Sequence, residues 1–428
     1  MKKSINKKFH NYFSSLLQRI CLLLSQLLLI PTFISVLGVD LYGEWLILTT
    51  IPNYLLLSDF GLPLTVTNEI CRLISLKEYK AQEKLYKSTV SFLVYIGLFL
   101  LVVFFIMSSV LDFSKIFNLK NISNHYATLI IGWFVFNVFF SLIFRVTIGY
   151  FRALNLFHKH EYFLALTLFL DFGVTLLTLK IQAPLYYIPM MMVIIRILVM
   201  IIINITLYKN NFYKFGFTTD CSRTIELIPV SLKLGFFQFG TALFIQGCTL
   251  LVGIILGSAS VVVFNTIRTI VNSIRAFIGI IYIQTMPEFT ILISNNHLNV
   301  ALVKMKRLIL LVSVISLISC LGLYFLRDII FKLWIKKPFL YNDLFMVFML
   351  VSIFFYNIWN AASMLPMSIN KMNTLALYPI LGAILLIIQY FTITKNGLVG
   401  LSFSFIIMDL IMLILVLKLN FKILKLNF

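Results

Sequence analysis

Runs of about twenty predominantly apolar residues recur along the chain, separated by short polar segments. They lie near 16–37, 44–66, 89–111, 127–148, 162–180, 187–208, 234–257, 261–285, 308–326, 343–365, 375–393 and 399–417. The pattern predicts an all-α polytopic membrane protein with about twelve transmembrane helices. The longest non-apolar segment, around 209–233, divides the spans six and six. It predicts an N-terminal six-helix lobe over 1–210, a cytoplasmic inter-lobe linker over 211–233 and a C-terminal six-helix lobe over 234–428.

The halves carry a faint internal repeat. At an offset of 219, Leu37-Gly38 matches Leu256-Gly257, Asn53 matches Asn272, and Glu69 matches Glu288. These positions fall at the turn between the first two helices of each half, in the middle of the second helix, and at its cytoplasmic end. An even number of helices per half relates the repeats by an axis along the membrane normal.

Polar residues inside the spans fall on stripes. Asn265, Arg268, Asn272 and Arg275 are spaced by three and four residues and share one helical face. An arginine at the centre of a lipid-buried helix costs roughly 2.5–3.5 kcal/mol even on the mild insertion scale, so this face must meet protein or water. Ser15, Gln18, Arg19, Ser25 and Gln26 form a stripe in the first helix, and Asn137, Ser141 and Arg145 form one in the fourth. Thr167, Asp171, Thr175 and Thr178 mark the fifth span, Arg196 the sixth, Asn357, Asn360 and Ser363 the tenth, and Ser402 and Asp409 the twelfth. The plainer reading of the neutral groups is hydrogen bonding between neighbouring helices. Arg19 and Arg145, near cytoplasmic ends, are also placed to snorkel. Asp171 and Asp409 either pair with an arginine or bind a coupling ion or proton.

Composition agrees with the pattern. The chain is 61% hydrophobic and 12% charged, with a mean hydropathy of +1.01. Most of its 35 lysines and arginines fall in segments on the side of the N-terminus, among them Arg72, Lys77, Lys80, Lys84, Lys87, Arg152 and Lys159. The positive-inside rule then places both termini in the cytoplasm. The formal charge of +20 follows from that topology, and nucleic-acid binding is not expected. No cleavage site precedes the first span, which is expected to be retained. Cys21, Cys71, Cys221, Cys248 and Cys320 have no paired spacing, arguing against a disulfide framework or a zinc site. His158-Lys159-His160-Glu161 reads as a solvated interfacial segment rather than a metal cluster, and the sequon Asn121-Ile122-Ser123 is assigned no role. No G-x-x-x-x-G-K-[ST] sequence is present and the loops are short, so neither ATP hydrolysis nor an extracellular catalytic domain is expected.

Five arginines within or close to the spans (19, 145, 196, 268 and 275) stand against two carboxylates well inside them, Asp171 and Asp409. A pathway lined in this way prefers an anion. Guanidinium forks suit phosphate, and interspersed Asn and Gln suit hydroxyl-rich groups; a lipid-linked pyrophosphate sugar satisfies both.

The segment Phe33-Ile-Ser-Val-Leu-Gly-Val-Asp-Leu-Tyr-Gly-Glu-Trp45, followed by Leu57-Ser-Asp-Phe-Gly61 and Asn68-Glu69, resembles the opening pattern of the Wzx-type O-antigen flippases. These belong to the polysaccharide-exporter branch of the multidrug/oligosaccharidyl-lipid/polysaccharide superfamily. Gly149-Tyr-Phe-Arg-Ala-Leu-Asn155 resembles the family's loop after the fourth helix. The resemblance implies two six-helix, MATE-like lobes, a bacterial inner-membrane location, and alternating-access transport of an undecaprenyl-pyrophosphate-linked oligosaccharide. It implies no enzymatic activity and no cofactor. Membrane lipids, a polysaccharide polymerase and chain-length proteins are the further partners it suggests. Cationic lumen roles carry over to Arg19, Arg196, Arg268 and Arg275; the residue pattern itself makes Asn265, Asn272, Gln26 and Asn357 candidates for contacting sugars and Asp171 and Asp409 candidates for coupling. Asp40 and Glu69 read as gate, hinge or simple capping residues. Two rivals stand beside this reading: a membrane oligosaccharide polymerase, which would be expected to carry a long outer loop, and a multidrug cation antiporter of the same fold, whose lumen should be acidic. A purely structural scaffold leaves the intramembrane arginines unexplained.

Overall fold

A computed structural model of the protein describes residues 2–59, 61–209, 216–283, 285, 289, 292, 297–335, 343–368 and 377–425. Every regular element among them is helical. In chain order these are α1 (Lys2–Leu48), α2 (Thr50–Leu55), a 3-10 turn (Leu56–Asp59), α3 (Leu62–Ser75), α4 (Tyr79–Val110), α5 (Phe113–Ile116), α6 (Asn124–Ala153), α7 (Phe157–Lys180), α8 (Tyr187–Lys209) and α9 (Ser222–Ile225). They continue with α10 (Ile228–Leu256), α11 (Ser258–Ile283), α12 (Leu298–Ile335), α13 (Asp343–Ser368) and α14 (Leu377–Lys425). Among the described residues, nine helical stretches are long and apolar enough to cross a membrane. Two of them, Phe13–Ile74 and Ile380–Ile423, are broken at Gly38 and Gly397 into two passes each, and α10 adds the shorter apolar helix Phe244–Leu256. The fold is thus a multi-pass helical membrane bundle.

The repeat has a backbone basis. Gly38 (φ 78°) and Gly257 (φ 84°) both adopt the left-handed conformation where one apolar helix turns into the next. A residue with a Cβ is strained there, so the matching Leu-Gly pairs mark equivalent corners. Glu288, the third matched position, lies outside the described residues.

Several helices depart from the expected boundaries. The second pass is not one helix over 44–66. It is interrupted by the 3-10 turn and by Gly61 (φ 75°), and Asp59 Oδ1 accepts the Gly61 N–H at 2.9 Å. The Asp-x-Gly sequence is therefore a turn that restarts the helix, with Pro63 in the first turn of α3. α12 runs to Ile335, nine residues beyond the expected span, so the described part of the 327–342 loop is helix.

The chain divides into two compact units, Met1–Phe239 and Gly240–Phe428, with the boundary inside α10. The described part of the expected linker is fastened to α4 in the first unit. Thr224, fully buried, shares hydrogen bonds with Ser88 (2.8 Å) and Thr89 (3.0 Å), and the Thr218 N–H donates to Ser91 Oγ at 2.9 Å. The Ser222 hydroxyl and then Lys84, at 2.9 Å, hold the Asp220 carboxyl well below the usual carboxylate range.

Between apolar helices in lipid there is little hydrophobic gain, so close packing and buried polar bonds carry the association. The first unit packs Leu62, Val66, Tyr86, Val90, Leu142, Tyr150, Phe151 and Val199 from α3, α4, α6 and α8 into one core. At the outer end Phe33 stacks on Tyr42 (4.9 Å) and Trp45 (5.9 Å) across the Gly38 corner. Glu44, 1% exposed, accepts the backbone N–H groups of Lys120 (2.8 Å), Asn121 (2.9 Å) and Ile122 (2.8 Å), together with Asn121 Nδ2 (2.8 Å). One carboxylate thus clamps the loop after α5, and it occupies the amide of the sequon. Each hydrogen bond to a charged group contributes about 1.5–3 kcal/mol. Glu44→Ala is expected to lower stability by at least about 3 kcal/mol, and Glu44→Gln should lower it as well by turning an amide NH2 against the Asn121 and Ile122 N–H groups. Thermal unfolding of the solubilised variants measures this, and an unchanged midpoint would show that the clamp is dispensable.

Candidate functional site

In the second unit the predicted stripe lies on α11 and borders a small cavity of about 70 Å³. Arg268, Asn272 and Arg275 face it from α11, opposite Ser352 and Tyr356 of α13 and Asp409 of α14. Apolar groups, including Phe244, Val271, Met349 and Phe405, close the remainder. The space admits a few waters or one small ion, and not a sugar ring.

The two arginines are held differently. Arg268 donates from Nη1 to the Ile245 carbonyl (3.2 Å) and Thr249 Oγ1 (3.1 Å) of α10, and from Nη2 to Asn265 Oδ1 (2.8 Å). Its guanidinium also lies 4.7 Å from the centre of the Phe264 ring. Each of these three acceptors is neutral. Arg275 stacks 3.7 Å from the centre of the Tyr356 ring, and no carboxylate among the described residues lies within ion-pair distance of it. Asp409, 5% exposed, accepts from Ser352 Oγ (2.5 Å) and Trp359 Nε1 (3.0 Å). Trp359 meets Tyr356 edge-on at 5.2 Å, so Arg275, Tyr356, Trp359 and Asp409 form a connected series.

Two of the arginines in the spans of the first unit, Arg196 and Arg145, meet carboxylates. Arg196 Nη2 on α8 reaches Asp171 Oδ2 on α7 at 3.0 Å, both largely buried, and the guanidinium lies over Phe144 at 5.3 Å. Asp171 Oδ1 and Arg196 Nε have no hydrogen-bond partner among the described residues. Arg145, instead of snorkelling freely, places Nη1 2.6 Å from Asp59 Oδ2 and 3.4 Å from the Leu56 carbonyl.

Other sequence-selected residues take simpler places. Asn265 serves Arg268 and does not line the cavity. Asn357 is fully buried, donates to Ser316 of α12 at 3.1 Å, and leaves its own oxygen unsatisfied in a helix–helix contact. Gln26 is exposed on α1, and Arg19 is half-buried with no hydrogen-bond or ion-pair partner among the described residues. Glu69 pairs with Arg72 at 2.7 Å along one helix. His160 and Glu161 are each 8% exposed and pair through Nδ1 and Oε1 at 3.1 Å, correcting the expectation of a solvated segment there. The sequence reading missed Ser352, Tyr356 and Trp359. Their spacing of four and three marks a second polar face on α13, beside the 357/360/363 stripe that drew notice.

No family model matches the sequence, and no curated protein matches it. Solved structures do. An inward-facing multidrug resistance MATE family transporter of the MOP superfamily aligns with TM-score 0.80 at 11% identity, covering 95% of each chain. The lipid II flippase MurJ, in an inward closed conformation, aligns with TM-score 0.65 at 16% identity over 97% of this chain and 87% of that one. A MOP superfamily transporter from Pyrococcus furiosus Vc1 (DSM3638), described by the reversed polarity of its binding pocket, aligns with TM-score 0.67 at 12% identity over 98% and 96%. The fold is that of the MOP-superfamily transporters. These identities establish fold alone; what the chain does must be argued from its own residues.

Within that fold the Asp171–Arg196 pair is a tractable element. Removing one member of a buried ion pair strands the other charge and costs about 3–5 kcal/mol, whereas neutralising both together is close to neutral. Arg196→Gln alone should therefore destabilise strongly, and Asp171→Asn combined with Arg196→Gln should recover most of the loss in a double-mutant thermal-unfolding cycle. Additive losses would show that the two side chains act separately.

Proposed function

We propose that the protein is a bacterial inner-membrane flippase that moves an undecaprenyl-pyrophosphate-linked oligosaccharide, an O-antigen or related repeat unit, outward by alternating access. The observation that carries this reading is Arg275, a guanidinium facing an internal cavity beside Arg268 and Asn272 with no carboxylate at ion-pair distance among the described residues. A charge kept in the membrane at that cost, with its donors uncommitted to any acid, suits a mobile anion. The cavity is too small for cargo as it stands, so the reading requires a state in which this seam opens. An inside-negative potential favours outward movement by about 2.3 kcal/mol per charge per 100 mV, which drives a diphosphate without ATP. The likeness in fold to a lipid II flippase supports the substrate class.

A multidrug antiporter of the same fold is the second reading. It is favoured by the buried Asp171 and Asp409, which suit a cation, and by the overlay on a MATE transporter. The two readings separate in cells. Deleting the protein should trap single lipid-linked repeat units on the cytoplasmic leaflet. Arg275→Ala should abolish surface polysaccharide at unchanged protein level, while Arg275→Lys retains part. Normal polysaccharide in the alanine variant at matched expression would remove Arg275 from the pathway. Raised drug sensitivity on deletion, with no trapped units, would favour the antiporter.

A further inference from the structure

Two segments of the opening resemblance, Leu57–Gly61 and Gly149–Asn155, come together at one end of the first unit, around a cavity of about 320 Å³ that is separate from the α11 seam. Its walls include Asp59, Gly61 and Thr67 beside Arg145, Gly149, Arg152 and His160. The segments that meet at this end, 72–87 and 152–159, are rich in lysine and arginine, which assigns it to the cytoplasmic side.

The construction is specific. α6 passes so close to α3 that a Cβ on Gly149 would lie 2.5 Å from Thr67 Oγ1, so glycine is needed for the helices to meet. Tyr150 and Phe151 are fully buried anchors, and Gln82 donates to Tyr150 Oη. With those side chains directed into the core, Arg145 and Arg152 fall on the cavity face two helical turns apart. Asp59 spends both oxygens internally, one on the Gly61 N–H and one on Arg145 Nη1. Arg145 remains 46% exposed at its side chain. Arg152 is exposed, lies 5.1 Å from the centre of the Phe157 ring, and has no hydrogen-bond or ion-pair partner among the described residues. Two guanidinia therefore meet one fully used carboxylate in a preformed space, on whose wall the Thr67 hydroxyl is committed to the Pro63 carbonyl at 2.6 Å.

We propose that this cavity is a phosphate-recognition site at the cytoplasmic end of the first unit, in which Arg152 and the free edge of Arg145 bind the phosphate group of a lipid. The diphosphate of the cargo and the headgroup of a bulk anionic phospholipid share that chemistry. Assignment to the cargo, as a loading site, rests on the flippase reading; phosphate recognition itself does not. Exposed Arg152 can be replaced without stranding a buried charge, unlike Arg145, whose removal leaves Asp59 unpaired.

The test is titration of inorganic pyrophosphate into the purified full-length protein in phosphatidylcholine nanodiscs, by calorimetry. Arg152→Ala should weaken binding about tenfold, the scale of one charge-assisted hydrogen bond, with Arg152→Lys intermediate and Arg152→Glu weaker still. Unfolding midpoints should not move. Equal affinity in all four proteins, or no binding at millimolar pyrophosphate, overturns the site. Repeating the titration with phosphatidylglycerol in the nanodisc distinguishes the sources: loss of pyrophosphate binding assigns the site to bulk phospholipid, and retention assigns it to a diphosphate cargo, both upholding phosphate recognition. Arg152-dependent binding in a protein whose deletion traps no lipid-linked units would remove the flippase reading and leave the site standing. Trapped units with no effect of Arg152 on binding would do the reverse.

Discussion

In a bundle immersed in hydrocarbon there is no water to complete an unsatisfied polar group, so each polar side chain within the spans must find its partner inside the protein. Much of this structure follows from that constraint. Glu44 is buried because four donors from one loop converge on it. Asp59 is buried because a glycine N–H and an arginine each take one oxygen. Gln389 sits fully buried between Cys248, which donates to its carbonyl at 3.2 Å, and Ser404, which accepts from its amide at 2.5 Å. Such contacts supply the specificity that apolar packing against equally apolar lipid cannot.

The two units answer the constraint differently, and the difference bears on function. The first unit sets carboxylate against guanidinium, as in Asp171–Arg196 and Asp59–Arg145. A guanidinium in an ion pair of this kind gives up its acid only at high cost. In the second unit, Arg268 and Arg275 rest on a carbonyl, a hydroxyl, an amide and two aromatic faces. Neutral partners can be exchanged for an anion with a net gain, because a charge-assisted bond to an anion is about twice as strong as a neutral one. The exchangeable positive charge of the seam is therefore on α11.

The sequence pattern made the helices, the Leu-Gly corners and the α11 stripe legible, because each is a local property: a run of apolar residues, a residue without a Cβ, a spacing of three and four. Partners were not legible. Arg145 and Asp59 are 86 residues apart, and nothing in the period of either segment records that they meet. The stripe of α13 was read one face away, since Asn357 and Asn360 are more polar than Ser352 and Tyr356 and drew attention from the side that lines the seam. His160 and Glu161 looked solvated because their neighbours are charged, yet a helix turns adjacent residues to different surroundings. Periodicity fixes a face; what the face meets is decided by tertiary packing.

The excess of arginines in the sequence must be recounted in this light. With Arg145 and Arg196 matched by acids, a preference for anions rests on Arg19, Arg268 and Arg275 against Asp409. Asp409 is joined to Arg275 through Trp359 and Tyr356, so the charge of one bears on the other across two aromatic rings. An ionised Asp409 draws on the field of Arg275 and weakens its hold on a second anion; neutralising Asp409, by a proton or a bound cation, releases that field to the cargo. On the proposed reading, anion binding and cation binding at this seam would be linked equilibria, and linkage requires that each alter the affinity of the other by the same factor. A carboxylate beside an anion-binding arginine is consequently no contradiction in a flippase, since it supplies a physical means of making the hold on cargo depend on which side of the membrane supplies the neutralising ion.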